Sequence, residues 1–431
     1  MKNSKNILPI IMMIFLFGMI SFVTNLASPM GEVLERQFDL SNFLGTLGVF
    51  ANFIAYAVMG IPGGIILQKY GYKKTALTAM IVGFLGVGIQ TLSGTIDNQS
   101  AYYVYLFGAF VAGFSMCLLN TTVNPMLNTL GGGGNRGNQL IQVGGSFNSL
   151  CGTAVIMLVG VLVGDIAKAK IADIYPVMFI ALSIFALAFI VIALTKIPQP
   201  HHEEPLKTDK SGVGPMSFPH FILGAVGIFV YVGVEVGTPQ VLNSWLIDRD
   251  YNLIGGSPEN ATAVAGFVVG TYWFLMLVGR LIGAAVGSFV SPRKMLASVT
   301  AVGLCLILCA IFFDYTNKVN MPVLMKDAEG AISFGITIVP INAMFLVLVG
   351  LCMSVMWGGI FNLAVNGLGK HTEKASGIFM ALCCGGGILP LLQNWIVDIS
   401  SYQISYWVVF AGIAYLLFYA LIGSRIKKVT L

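Results

Sequence analysis

A single carboxylate, Glu235, stands in the apolar stretch FVYVGVEVGTPQVLNSWL, with about a dozen uncharged residues on either side. An acid inside such a segment is costly against lipid and marks a functional site by default. Three interpretations are open. Glu235 could bind a cation, either a proton or a Na⁺ held together with amide oxygens, as a ligand binds. It could hydrogen-bond permanently to ligand hydroxyls, or it could serve the structure alone, as a neutral acid or paired with Arg280 of the stretch LVGRLIG.

Amide side chains follow a helical spacing in two other apolar stretches. Asn120, Asn124 and Asn128 recur at every fourth residue, which places them on one helix face, and Asn362 and Asn366 do the same. Amides donate and accept hydrogen bonds and so complement a ligand with many hydroxyls, although amides also join helices to one another. We favour cavity lining for these two stripes. The predicted binding residues are Asn120, Asn124, Gln142, Asn148, Glu235, Gln240, Asn243, Trp357, Asn362, Gln393 and Asn394.

The elements that position these residues are membrane helices. The 431 residues are 57% hydrophobic and 10% charged, whereas a soluble protein needs about a quarter of its residues charged. Apolar runs of roughly 20 residues or more have the length that crosses a bilayer. We predict an all-α membrane protein of twelve transmembrane helices, at about 7–29, 43–67, 75–95, 101–128, 139–164, 174–195, 217–247, 262–290, 294–313, 335–367, 376–397 and 402–424.

Charge in the loops predicts the orientation. Lys and Arg concentrate in alternate loops and at both termini, while most acids fall in the other loops. Short cytoplasmic loops retain cations, so both termini are predicted in the cytoplasm of a multi-pass protein of the cell inner membrane. The net charge of +5 is explained by this topology and gives no reason to expect a nucleic-acid partner.

A polar linker divides the chain into two similar halves. We predict an N-terminal six-helix bundle at 1–195, a cytoplasmic linker at 196–216 and a C-terminal six-helix bundle at 217–431. The segments NPMLNTLG and NLAVNGLG stand in corresponding spans, the fourth and the tenth, and both read N-x-x-x-N-x-L-G. Cationic pairs, Lys73–Lys74 and Arg293–Lys294, follow the second and the eighth spans. Two related bundles with a binding site between them suit a transporter that rocks around its site. The linker pair His201–His202 lacks a third ligand nearby, so no metal site is predicted.

The stretch LSNFLGTLGVFANFIAYAVMGIPGGIILQKYGYKK resembles the second span and following loop of the major facilitator superfamily. Within it, the chain is similar to the fucose/glucose/galactose family of sugar:cation symporters, also through LLNTTVNPMLNTLG, SFNSLCG, YVGVEV and SVMWGGIFNLAVNGLGKHTEKASGIFMALCCGGGILPLLQ. The resemblance implies two pseudo-symmetric six-helix bundles, a monomer, and a gating loop with Gly64, Lys69, Gly71 and Lys73. Gln68 replaces the aspartate of most facilitators.

The chain departs from this family at residues that matter. Ser28 and Asn120 stand where L-fucose symporters carry their two coupling acids, and Gly145 stands where they have a sugar-binding glutamine. The neighbouring asparagine is kept as Asn148, and Trp357 replaces a tyrosine. L-fucose is therefore not assumed as the substrate, and Glu235 becomes the candidate coupling residue.

Together these features predict a secondary transporter that imports a neutral sugar (a hexose, deoxyhexose or amino sugar) by alternating access, coupled to H⁺ or Na⁺. No acidic or basic cage is visible, which favours a neutral solute. A proton-coupled efflux antiporter for drugs or metabolites is the alternative, and a transporter-like solute sensor is a further one. No nucleophile–base or metal constellation predicts an enzyme, and no cofactor is expected beyond the coupling ion. The seven cysteines all fall in apolar spans and are predicted to be reduced packing residues.

Overall fold

The computed structural model describes residues 7–38, 42–96, 98–163, 170–197, 214–248, 251–254, 258–326 and 332–426. Most of them are helical. The helices are α1 (Ile7–Gln37), α2 (Asn42–Ser93), α3 (Ser100–Leu130), α4 (Gly134–Val163), α5 (Tyr175–Leu194), α6 (Pro219–Ile247), α7 (Pro258–Val286), α8 (Pro292–Phe312), α9 (Ile341–Met353), α10 (Met356–Val365), α11 (Thr372–Ala381), α12 (Gly385–Ile399) and α13 (Tyr402–Phe418). Strands β1 (Lys318–Lys326) and β2 (Ile332–Pro340) form an antiparallel hairpin between α8 and α9.

These helices make twelve membrane passes, as predicted. Ten helical stretches within the described ranges are long and apolar enough to cross a bilayer. One of them, Phe50–Ser93, has 44 residues and therefore holds two passes, since a single pass takes about 20. Helix α4 supplies the remaining pass. The pairs α9–α10 and α11–α12 each form one pass with an interruption in the middle.

We call the two ends of the helix bundle the linker side and the hairpin side. The linker side carries Gly71, the turn between α3 and α4, and the two described ends of the linker, at Ile197 and Gly214. The hairpin side is opposite and carries β1 and β2. The linker pair His201–His202 and the side chain of Ser28 lie outside the described part of the chain.

The predicted start of the tenth span was wrong. We placed it at residue 335, but 332–340 form strand β2 and the helix begins at Ile341. The physical reason is the side-chain period. Phe334, Ile336 and Ile338 alternate with small or polar residues, and a period of two fits a strand.

The predicted gating loop after the second span is a joint of one residue. The chain is helical up to Tyr70 and again from Tyr72, and only Gly71, with φ 76° and ψ 174°, leaves the helical conformation. Glycine suits this position because a positive φ is costly for other residues. Gly64 lies inside the helix, and Lys69 is exposed with its Nζ 5.2 Å from the ring centre of Tyr70.

In each half, a cation after the second pass of that half binds the end of its last pass. Lys73 Nζ donates to Ala193 O at 2.7 Å and to Thr195 O at 2.9 Å, at the end of the sixth pass. Arg293 donates from Nη2 to Ser424 O and from Nε to Ser424 Oγ, both at 3.1 Å, at the end of the twelfth pass. Basic side chains commonly bond the last carbonyls of a helix and match its dipole there. These parallel contacts support the two-fold relation between the bundles.

We expect Arg293→Ala to lower the melting temperature of the purified protein by several degrees. It removes two charge-assisted contacts to the last turn, and each kcal/mol lost corresponds to about 2–4 °C in a unit of roughly 200 residues. The neighbouring exposed Lys294→Ala is the matched control, and a thermal-shift assay in detergent measures both. Equal shifts for the two variants would contradict a fastening role for Arg293.

Candidate binding site between the two bundles

Glu235 lies between the bundles and forms an ion pair with Arg280. Arg280 Nη2 is 3.3 Å from Glu235 Oε1, and the side chains are 12% and 13% exposed respectively. Tyr231, one turn earlier on α6, donates its hydroxyl to the same oxygen at 2.7 Å. Tyr272 of α7 donates to the backbone carbonyl of Glu235 at 3.2 Å. The pairing that the sequence left as one of three interpretations is formed here, and both side chains retain some exposure.

Arg280 also binds the N-terminal bundle. Its Nη1 donates to Ser149 Oγ at 2.6 Å, to Gly145 O at 3.1 Å and to Asn148 Oδ1 at 3.4 Å, all on α4. Asn148 in turn donates to Phe17 O of α1 at 2.7 Å. One guanidinium therefore connects Glu235 of the C-terminal bundle to three acceptors on α4 of the other bundle.

The interruption of the tenth pass lies beside this guanidinium. Helix α9 ends at Met353 and α10 begins at Met356, and of the two carbonyls between them Val355 O still accepts from Gly359 N of α10 at 3.2 Å. Arg280 Nε donates to Ser354 O at 3.4 Å, and Gln142 Nε2 of α4 donates to Val355 O at 3.0 Å. The predicted binding residue Gln142 thus bonds the break from the opposite bundle.

A second polar chain runs from α10 into the N-terminal bundle. Trp357 Nε1 donates to Asn124 Oδ1 at 3.0 Å, and Asn124 Nδ2 donates to Asn120 Oδ1 at 3.2 Å. Asn120 Nδ2 donates to the hydroxyl of Tyr56 at 2.8 Å. The rings of Tyr231 and Trp357 meet edge to face, with centroids 6.2 Å apart, and so join this chain to the Glu235 pair.

The asparagine stripes meet across the bundles further toward the linker side. Asn362 Nδ2 donates to Asn128 Oδ1 at 2.7 Å and to Gly134 O at 3.1 Å. The stripes therefore do in this conformation what the alternative interpretation expected, which is to join helices. The contacts cross between bundles and not within one, so they can be broken when the bundles separate.

The other predicted residues do not bond Glu235 or Arg280 in the described structure, although Gln393 Oε1 would lie 2.8 Å from a Cβ on Gly237, two residues after Glu235. Gln393 is buried and donates to Ser405 Oγ of α13 at 3.5 Å. Gln240 is exposed and lies on the helix face of Gly233, which packs against Leu389 of α12. Asn243 and Asn394 are half-buried, on the hairpin-side halves of α6 and α12.

Two members of the polar chains were not predicted. Tyr56 occurs in the apolar run ANFIAYAVMG, where nothing distinguishes it from a packing residue. Ser149 follows Gly145 by one turn and therefore shares a face with it, a signal that the arrangement SFNSLCG does contain.

A profile of the Major Facilitator Superfamily matches residues 10–390. The chain belongs to this superfamily. It is accordingly a membrane transporter and not an enzyme. A glucose/galactose transporter of Brucella abortus is 29% identical over 417 residues, covering 95% of this chain and 92% of that protein. The L-fucose-proton symporter of Escherichia coli is 22% identical over 422 residues, covering 92% and 88%. The crystal structure of the superfamily transporter FucP in the outward conformation superposes with a TM-score of 0.79 at 20% identity, covering 98% of this chain and 100% of that chain.

The bundles of this transporter pack closely on the linker side. Gly60 and Gly64 of α2 meet Gly377 and Ala381 of α11, and a Cβ on Gly377 would lie 2.6 Å from Gly64 Cα. On the other flank, Gln139 Nε2 of α4 donates to Ala284 O of α7 at 3.0 Å. Small residues at one-turn spacing allow helix backbones to approach closely in membranes. The linker side is therefore closed in this conformation.

We expect Gly64→Leu to hinder this closure. Overpacking costs about 1–3 kcal/mol, so the ratio of closed to open molecules should fall roughly tenfold or more. Backbone hydrogen exchange should accelerate in the variant, both in α11 and in the part of α2 around Gly64. Gly88→Leu is the matched control, since a Cβ there meets no atom within 4 Å. Unchanged exchange in Gly64→Leu would show that this contact does not hold the linker side closed.

Proposed function

We propose that the protein imports a neutral sugar by alternating access, coupled to H⁺ or Na⁺, with Glu235 as the residue that binds the cation. The rocking units are residues 1–195 and 217–431, joined by the linker 196–216. The chain works as a monomer in the cell inner membrane with both termini in the cytoplasm, so that the linker side is the cytoplasmic side. The structure then represents a state closed toward the cytoplasm.

One observation carries the proposal, namely that Arg280 binds Glu235 and the N-terminal bundle at once. A cation on Glu235 competes with the guanidinium for the carboxylate. Occupancy of Glu235 therefore changes the contacts of the group that holds α4 beside α7. Two events that share one group are thermodynamically linked, and the linkage is reciprocal. Cation binding and bundle separation are coupled through Arg280.

Charge balance supports a neutral substrate. The carboxylate and the guanidinium offset one another, so the described surroundings of the pair carry no net charge for an ionised ligand to match. The nearby donors and acceptors are amides, hydroxyls and an indole, which suit sugar hydroxyls and the face of a pyranose ring. The similarity to a glucose/galactose transporter adds hexoses as the first class to test.

Uptake into proteoliposomes tests the proposal. Radiolabelled glucose, galactose, L-fucose, N-acetylglucosamine and glucuronate are offered under imposed H⁺ and Na⁺ gradients, applied separately. We expect one neutral sugar to accumulate above its external concentration under one of the two gradients. Accumulation of glucuronate alone would overturn the neutral substrate, and equilibration without accumulation would overturn the coupling. Failure of all five sugars, with gradient-driven movement of lipophilic cations, would favour the efflux alternative.

We expect Glu235→Gln to abolish accumulation and to retain exchange of labelled for unlabelled sugar. Glutamine keeps the shape and can still accept from Tyr231, but it does not titrate and it cannot form the ion pair. Both rates are measured in the same proteoliposomes. Asp173→Asn is the control, because this exposed acid bonds only its local backbone at Lys170 N in the described structure. Full accumulation by Glu235→Gln would remove Glu235 from the coupling mechanism.

A further inference from the structure

The β1–β2 hairpin has apolar side chains on both faces. On the inner face Met321, Val323 and Val339 are 4%, 0% and 0% exposed. On the outer face Phe334, Ile336 and Ile338 are 60%, 73% and 57% exposed. The strand pairing places the exposed Pro322 opposite Ile336, which extends this outer face across both strands. A row of apolar residues this exposed needs a partner that is itself apolar.

The hairpin lies along the membrane helix α7. Strand β1 packs against α7, and the rings of Phe334 and Phe274 meet with centroids 5.4 Å apart. Thr271 and Ile282 are eleven residues apart and so share one face of α7. Ile282 is 52% exposed, as expected of a lipid-facing residue, whereas Thr271 is 4% exposed.

The position of Phe274 gives the depth of the contact. It precedes the last residue of α7, Val286, by twelve residues, or about 18 Å of helix. The hydrocarbon layer is about 30 Å thick. A helix that leaves this layer near Val286 therefore places Phe274, and with it the ring of Phe334, at least about 12 Å below the opposite boundary.

We propose that the outer face of the hairpin, formed by Pro322, Phe334, Ile336 and Ile338, binds lipid in the leaflet on the hairpin side. This face meets α7 through Phe334 and adds to the apolar surface that the exposed Ile282 presents to lipid. A two-stranded hairpin has two edges with unpaired backbone groups, which cannot be satisfied in hydrocarbon. The strands therefore run from the acyl region, which the ring of Phe334 reaches beside Phe274, toward the headgroups, with the outer side chains facing the acyl chains.

This placement gives the hairpin a mechanical role. Strand β2 ends at Pro340 and α9 begins at the next residue, and α9 leads to the break at Ser354 and Val355 beside Arg280. Lipid bound to the hairpin holds the entrance of the tenth pass at a fixed depth. The part of this pass that can move relative to it then begins at the break.

Photo-crosslinking in lipid nanodiscs tests the proposal. Ile336 is replaced by the photoreactive residue p-benzoylphenylalanine in the full chain, and the products are analysed by intact mass and on a denaturing gel. The same replacement at Ile282 is the positive control. The exposed Thr316, which precedes β1, is the negative control.

We expect lipid adducts at 336 and 282 and none at 316. A chain-to-chain product at 336 would show that a second copy covers the hairpin and would overturn the proposal. A variant that gives an adduct at 282 but none at 336 would also overturn it, because the hairpin would then face water. As a second reading, Phe334→Glu placed in the chain that carries the label at 336 should reduce the lipid adduct severalfold, since a charge draws this face out of the acyl region.

Discussion

A guanidinium inside a membrane bundle needs an acceptor for every donor it turns away from water, and Arg280 obtains its acceptors from three separate elements. Glu235 supplies charge from α6, Ser149 and the Gly145 carbonyl bond it from α4, and Ser354 bonds it from the interruption of the tenth pass. Much of the local sequence follows from this requirement. Gly145 supplies its carbonyl directly beside the side chain, and the interruption supplies the carbonyl of Ser354.

The energy scale of this contact constrains how the bundles can separate. Glu235 and Arg280 both belong to the C-terminal bundle, so separation keeps the ion pair and breaks the three hydrogen bonds from Arg280 to α4, each worth about 1.5–3 kcal/mol because the donor is charged. A membrane potential of 100 mV supplies about 2.3 kcal/mol per charge, which is less than the three together. The bundles therefore cannot leave Arg280 unmatched on the way to the opposite state. Water, an incoming sugar or a retained carboxylate must replace each contact as it breaks, and the partial exposure of Arg280 and Glu235 allows such replacement.

The sequence predicted the elements better than their contacts. Apolar length gave the twelve passes, and the isolation of Glu235 in an uncharged stretch singled it out together with its possible partner Arg280. The β hairpin was missed at the start of the tenth span because a short apolar stretch next to a long one reads as its continuation. The break at Ser354 and Val355 has no Pro or Gly at either position, and its partners Gln142 and Arg280 come from other helices, which the local sequence does not indicate. Likewise the sequence places Gln393 and Gln240 on helix faces but not what those faces contact, which for Gln393 is Ser405 and Gly237. Their role in binding stays a prediction.

The joint at Gly71 has a consequence for how force passes through the N-terminal bundle. A long flexible loop would let the second and third passes shift independently. A connection of one residue ties the linker-side ends of the two passes together, so a displacement of the second pass at this end also displaces the third pass. Lys73, two residues further on, attaches the same corner to the end of the sixth pass. When the contact between Gly64 and Gly377 opens, we therefore expect the second, third and sixth passes to move together as one unit.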